Sequence, residues 1–204
     1  MTVRLHRGDL PDLSRYTGAV AIDTETMGLN PHRDRLCVVQ LSPGDGSADV
    51  VQIPKGHTDA PNLKALLANP AITKIFHFAR FDVAVLYNAL GVMTGPIYCT
   101  KIASRLTRTY TDRHGLKDLV REVLNVDLSK QQQSSDWGAD GLSEPQLAYA
   151  ASDVLHLHAL RERLDAMLVR EGRTALAQSC FDFLPTRALL DLQGWEAEDI
   201  FAHS

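Results

Sequence analysis

The eight residues Ala19-Val20-Ala21-Ile22-Asp23-Thr24-Glu25-Thr26 constrain this chain more than any others. Small and apolar residues run directly into two carboxylates one residue apart. In a strand, residues i and i+2 face the same side, so Asp23 and Glu25 stand side by side at or just past the strand's end. The apolar residues before them anchor that end in a core. Two neighbouring carboxylates at the rim of a sheet repel each other unless a cation lies between them. The rest of the chain can therefore be searched for further ligands of that cation.

The elements around this stretch follow from pattern and punctuation. Residues 1–18, with Gly8, Pro11 and Gly18, read as a turn-rich lead-in. Runs at 36–41 and 48–53 are rich in β-formers and flank the turn Ser42-Pro43-Gly44-Asp45-Gly46, so with 19–23 they predict an antiparallel meander. The pattern then alternates: helix 62–69, strand 74–77, helix 82–90 closed by Gly91, strand 97–99, and helices 100–106 and 116–124. Three strands followed by alternating strands and helices predict an α/β fold with a mixed sheet. Residues 125–142 read as a polar loop. Ser143 and Gln146 form a capping-box signature that opens a helix running unbroken to about Val169. The tail 173–204 predicts one or two more helices, the second opened by Pro185. No linker divides the chain, so its 204 residues predict one domain, with a catalytic core at about 15–165 and a C-terminal helical extension at about 166–204.

Three elements expose acids. Asp23 and Glu25 end the first strand. Asp82 opens a helix in His77-Phe78-Ala79-Arg80-Phe81-Asp82. Tyr149 and Asp153 lie four residues apart on one helix face. Taken singly, each has an ordinary reading: a polar turn, a helix N-terminal acid favoured by the dipole, a half-buried helix face. Four carboxylates brought together are different. At 4 Å and an effective dielectric of 20, one like-charged pair costs about 4 kcal/mol. Divalent cations relieve that repulsion, and an all-oxygen donor set favours Mg²⁺ or Mn²⁺.

Composition narrows the partners. The formal net charge of −4 argues against a protein that coats long nucleic acid. A nucleic-acid ligand should be short or held by a local patch, and 101–121 is the most basic stretch: Lys101, Arg105, Arg108, Arg113, Lys117 and Arg121 against Asp112 and Asp118. Cys37, Cys99 and Cys180 form no CxxC and suggest reduced thiols in a cytoplasmic setting. No apolar run approaches the ~20 residues of a membrane span, and the first residues lack a signal-peptide core.

Asp23-x-Glu25, the His77…Asp82 segment and Tyr149-x-x-x-Asp153 resemble the three motifs of the DEDDy 3′→5′ exonucleases, most closely the ribonuclease D group. Ser135-Asp136-Trp137 and Gln146-Leu147-x-Tyr149-Ala150-Ala151 extend the likeness. The resemblance implies a ribonuclease H-like fold with a mixed five-stranded sheet flanked by helices. Ribonuclease D carries helical nucleic-acid-binding domains after the nuclease, and here only about 40 residues follow. That departure is similar to the short, stand-alone diribonucleotidases of the nanoRNase C type, whose members form ring-like homo-oligomers.

The resemblance implies hydrolysis of short RNA, above all dinucleotides, with two Mg²⁺ or Mn²⁺ ions. Asp23 would bridge both ions. Glu25 and Asp153 would complete the site of the water-activating ion, Asp82 would serve the other, and Tyr149 would orient the water. Leu29 would wedge between the two bases. His77, Lys130, Gln133 and Ser135 are further candidates for substrate contacts. The alternatives are a ribonuclease D-like enzyme trimming longer RNA or DNA and an inactive nucleic-acid-binding module. An aspartyl-phosphate phosphatase also starts with strand-D-x-D/E, but it needs a lysine and has no use for Tyr149. A polymerase proofreading domain would come with a polymerase region.

Overall fold

The computed structural model describes residues 2–129 and 131–203. Its frame is a sheet of β1 (Thr2–Arg7), β2 (Ala19–Thr26), β3 (Leu36–Ser42), β4 (Ser47–Gln52), β5 (Thr73–Phe76) and β6 (Ile97–Cys99), in the order β1-β4-β3-β2-β5-β6. β2, β3 and β4 form the expected antiparallel meander. β1 pairs with β4, β5 with β2 and β6 with β5, all parallel. The α/β class and the mixed sheet match the sequence reading. The strand count is six rather than five, because residues 2–7, read as lead-in, form an edge strand. Its arginines and histidine hide it: only Val3 and His6 are half-buried, and the rest of β1 is exposed. Pairing with β4, not an apolar pattern, makes it a strand.

The helices are α1 (Pro61–Ala68), α2 (Ala79–Leu90), α3 (Thr100–Thr107), α4 (Leu116–Leu124), α5 (Glu144–Leu155), α6 (Leu157–Arg170) and α7 (Thr174–Leu190). β3 and β4 are buried at every position, since helices cover both faces of the sheet. α5 packs on β2, β3 and β4, while α2 packs on β2, β3, β5, β6 and α7. Ser143 caps α5 through the predicted box with Gln146.

Two helix expectations are corrected. The helix predicted as unbroken from 147 to about 169 divides at His156 (φ −103°, ψ −6°). No proline or glycine marks this point. The break redirects the chain, because α5 must lie along the sheet whereas α6 packs on α3 and α4. Pro185, expected to open a second tail helix, instead sits inside α7. Leu184 and Ala188 around it are buried, so packing retains a helix that has lost one backbone donor. A π-helical turn, Asp191–Trp195, follows and is tied down by Arg80 and Arg187 on Asp191.

At the β1–β4 edge, Asp49 is 3% exposed. It accepts from Tyr16 Oη at 2.5 Å and Arg15 Nη1 at 2.7 Å, and His6 Nε2 lies 2.9 Å away. This knot fastens the segment after β1 to the sheet.

Candidate active site

In the β2–β3 register Asp23 stands opposite Gln40 and Glu25 opposite Val38, and a bulge follows between Glu25 and Thr26. The pleat puts both acids on the face covered by α5 and turns Thr24 to the other face. α5 brings Asp153, one turn after Tyr149. One carboxylate oxygen from each of Asp23, Glu25 and Asp153 lies within 4.8 Å of the others. Asp82 comes from the opposite face, in the first turn of α2. It is 3% exposed and accepts a 2.7 Å hydrogen bond from Thr24 Oγ1. The four acids thus meet at the end of β2, three as a cluster and the fourth behind it.

Their electrostatics point one way. Burial pushes the Asp23 carboxyl up to about 7. Burial, and then the charges of Asp23, Asp153 and Asp82, push Glu25 up to about 10. Burial and Asp23 raise Asp153 to about 8. Asp82 is raised well above the usual carboxylate range by burial and Asp23, against the pull of the Thr24 hydroxyl. Desolvation and like charge act together here. None of the four takes part in a salt bridge among the described residues. A hard-oxygen donor set with no cation of its own fits Mg²⁺ or Mn²⁺, whose charge reverses these shifts.

Tyr149 is half-buried, its ring 6.0 Å from that of Trp137. Burial, then Asp153, Glu25 and Asp23, push its phenol up, so it stays protonated. Asp23, Glu25 and Asp153 open into a cleft of about 340 Å³, lined also by His77, Phe78, Lys101, Lys117, Gln133 and Tyr149. His77 Nδ1 lies 2.9 Å from Thr100 Oγ1, and burial lowers its pKa to about 3, leaving the ring neutral.

The substrate candidates divide. His77 and Gln133 line the cleft. Ser135 turns its hydroxyl to Gln132 Oε1 at 2.5 Å. Lys130 lies outside the described residues. Leu29 is 84% exposed and lines a neighbouring apolar cavity with Phe78 and Phe81. Its loop is braced from within: Asp34 accepts from Asn30 N at 3.0 Å, and Met27 N donates to Arg35 O at 3.1 Å. A Cβ at residue 28 would lie 2.3 Å from Asp34 Oδ2, so any larger residue there would displace the carboxylate that braces the loop.

Sequence reasoning missed Phe78, which stands between the two cavities. It adopts a left-handed conformation (φ 69°) just before α2, and its side chain is 44% exposed. Such strain costs about 1 kcal/mol or more and gathers at functional sites. Lys101 Nζ sits 4.4 Å from its ring centroid. The basic stretch splits as well: Lys101 and Lys117 reach the cleft, whereas Arg108 is fully buried and bonded to Glu122 and Ser104.

Comparison with known proteins gives the family of the chain. A family model described as 3′-5′ exonuclease matches residues 10–169. Ribonuclease D of Acidiphilium cryptum is 38% identical over 154 residues, 76% of this chain and 39% of that protein. The chain thus spans about two-fifths of the length of the curated relatives it matches. NrnC of Brucella melitensis with bound Mg²⁺ superposes with a TM-score of 0.97 at 64% identity, covering 100% of both chains. The same Brucella protein bound to pGG gives 0.98 at 65%, again over 100% of both chains. Escherichia coli RNase D gives 0.76 at 30%, over 85% of this chain and 46% of that one.

Proposed function

Because the chain belongs to the 3′-5′ exonuclease family, we propose that it is a divalent-metal-dependent 3′→5′ exoribonuclease acting on very short RNA, above all dinucleotides. The observation that carries this reading is the triad of carboxylate oxygens from Asp23, Glu25 and Asp153 within 4.8 Å, with no salt bridge to any of them among the described residues. The likeness over the whole chain to a Brucella protein bound to pGG supports the substrate.

Asp23, Glu25 and Asp153 would hold Mg²⁺ or Mn²⁺, with Asp82 serving a second ion. Bound divalent cations activate water and neutralise charge on the leaving oxygen. Tyr149, kept protonated, hydrogen-bonds and orients the attacking water rather than taking its proton. Thr24 holds Asp82 in place. Neutral His77 offers a hydrogen bond but no charge, so Lys101 and Lys117 take the phosphate role. Leu29 and Phe78 offer apolar surface to the bases.

The catalytic core falls at about residues 15–165, with the later helices as an extension of the same domain. No helix among the described residues is long and apolar enough to cross a membrane. We place the protein in the cytoplasm as a homo-oligomer, on its likeness to ring-forming diribonucleotidases.

The test is product analysis on an RNA series from two to about 20 nucleotides with Mg²⁺ or Mn²⁺. The expected result is rapid release of 5′-mononucleotides from dinucleotides and slow cleavage of the longest member. The identity to ribonuclease D favours a second reading, trimming of longer RNA or DNA. Processive shortening of the 20-mer would establish that reading instead.

A further inference from the structure

We propose that Gln40 is a positioning residue that sets the spacing of Asp23 and Glu25 for cation binding. The inference rests on reading the acid cluster as a divalent-cation site. Gln40 lies on β3 directly across from Asp23 and is fully buried. Its Nε2 is 3.4 Å from Asp23 Oδ2 and 3.5 Å from Glu25 Oε1. The amide group carries two hydrogens, and each acid receives one. Its other end, Oε1, is buried with no hydrogen-bond partner among the described residues.

An amide in this place is poorly explained by packing. Val38, Val39 and Leu41 beside it are apolar and fully buried, as a central strand requires. An apolar residue at 40 would avoid burying an unsatisfied carbonyl, which is a penalty native interiors rarely accept. The retained glutamine has one face that does something: its donors meet the two acids that start the metal cluster. Both contacts exceed the ~2.9 Å usual for N–H···O, so they are weak tethers that orient the two acids without locking them in place. Thr24 does the equivalent for Asp82 from the opposite face, at 2.7 Å. The acids are thus positioned by uncharged donors, which orient carboxylates without competing with a cation for their charge.

Gln40→Met keeps the length and removes the donors. Calorimetric titration with Mn²⁺ alone should show affinity reduced by about 10- to 100-fold, as for other residues that orient metal ligands. Dinucleotide KM should stay within twofold while kcat falls, and raised Mn²⁺ should restore much of the rate. Mn²⁺ affinity and kcat both within twofold of the parent would overturn the proposal. If Gln40→Met does not fold, the unaltered protein decides. On addition of Mg²⁺ the two Gln40 side-chain amide proton resonances should shift together, and unchanged resonances in a protein that binds the ion would also overturn it. Parent protein that neither binds Mn²⁺ nor cleaves dinucleotides would instead defeat the underlying functional reading.

Discussion

Two buried carboxylate sites sit on the same sheet and are built in opposite ways. At the β1–β4 edge, Asp49 is surrounded by Arg15, Tyr16 and His6, which supply positive charge and donors within 2.9 Å. At the end of β2, Asp23, Glu25, Asp82 and Asp153 are surrounded chiefly by one another. Among the described residues, the side chains that meet them are uncharged donors: the Gln40 amide, the Thr24 hydroxyl and the Tyr149 phenol. A carboxylate buried for structure comes with its counter-charge from the chain. Carboxylates buried against each other, with carboxyls raised toward neutrality, need a counter-charge from solution. The contrast separates a fastening from a receptor using one residue type.

The contrast predicts that the two sites fail differently. Asp23→Asn should lower kcat by on the order of 10³-fold or more, since it removes cation-dependent stabilisation worth several kcal/mol, while thermal stability in EDTA holds or rises. Full activity in that variant would sink the assignment. Asp49→Ala should do the reverse. It leaves the buried Tyr16 hydroxyl without its acceptor, while Arg15 keeps Asp45 and Ser47, and so destabilises by about 2 kcal/mol in urea melts, with kcat per folded molecule unchanged. Tyr149→Phe should lower kcat by up to about 10²-fold with little change in dinucleotide KM, because the hydroxyl orients water rather than substrate.

The pH dependence sharpens the same division. Without metal, Asp23 and Glu25 keep their protons to about 7 and about 10, whereas in the unfolded chain carboxyls release them near about 4. The folded state binds more protons across that interval, so their contribution to stability is present at low pH and is lost as pH rises. Glu25→Gln should therefore melt a few degrees above the parent at pH 8 in EDTA, with a flatter slope against pH; about 1 kcal/mol moves Tm by roughly 2–4 °C in a chain of this size. A lower Tm would mean that Glu25 is stabilised by something other than a cation. The smallest expected effect is Leu29→Ala, a severalfold rise in dinucleotide KM at unchanged kcat.

How much was legible in the sequence follows the same physics. The acid pair on β2, the meander and the box at Ser143 and Gln146 rest on local periodicity and short-range hydrogen bonding, and they were readable. Asp82, Tyr149 and Asp153 became readable only as a set, because spacing alone cannot bring three elements together. β1 escaped because an edge strand with only Val3 and Leu5 among Thr, Arg and His carries too short an apolar alternation to stand out. The break at His156 and the continuity through Pro185 are tertiary decisions, made by what each half of the helix packs against. Phe78 left no trace, since nothing in a phenylalanine announces a positive φ. Gln40 was hidden differently: within Leu36–Leu41 it reads as an ordinary polar member of a strand, and only the register opposite Asp23 gives it a role.

The loop after the bulge at Glu25/Thr26 has a further consequence. Residues 27–35 close on themselves through Asp34, Asn30 and the Met27–Arg35 pair, and the bulge absorbs the change of direction before the loop begins. The acids are anchored upstream of that joint, by strand pairing the loop does not share. A change in the length or shape of this loop around Leu29 is therefore expected to leave the spacing of Asp23 and Glu25 as it is.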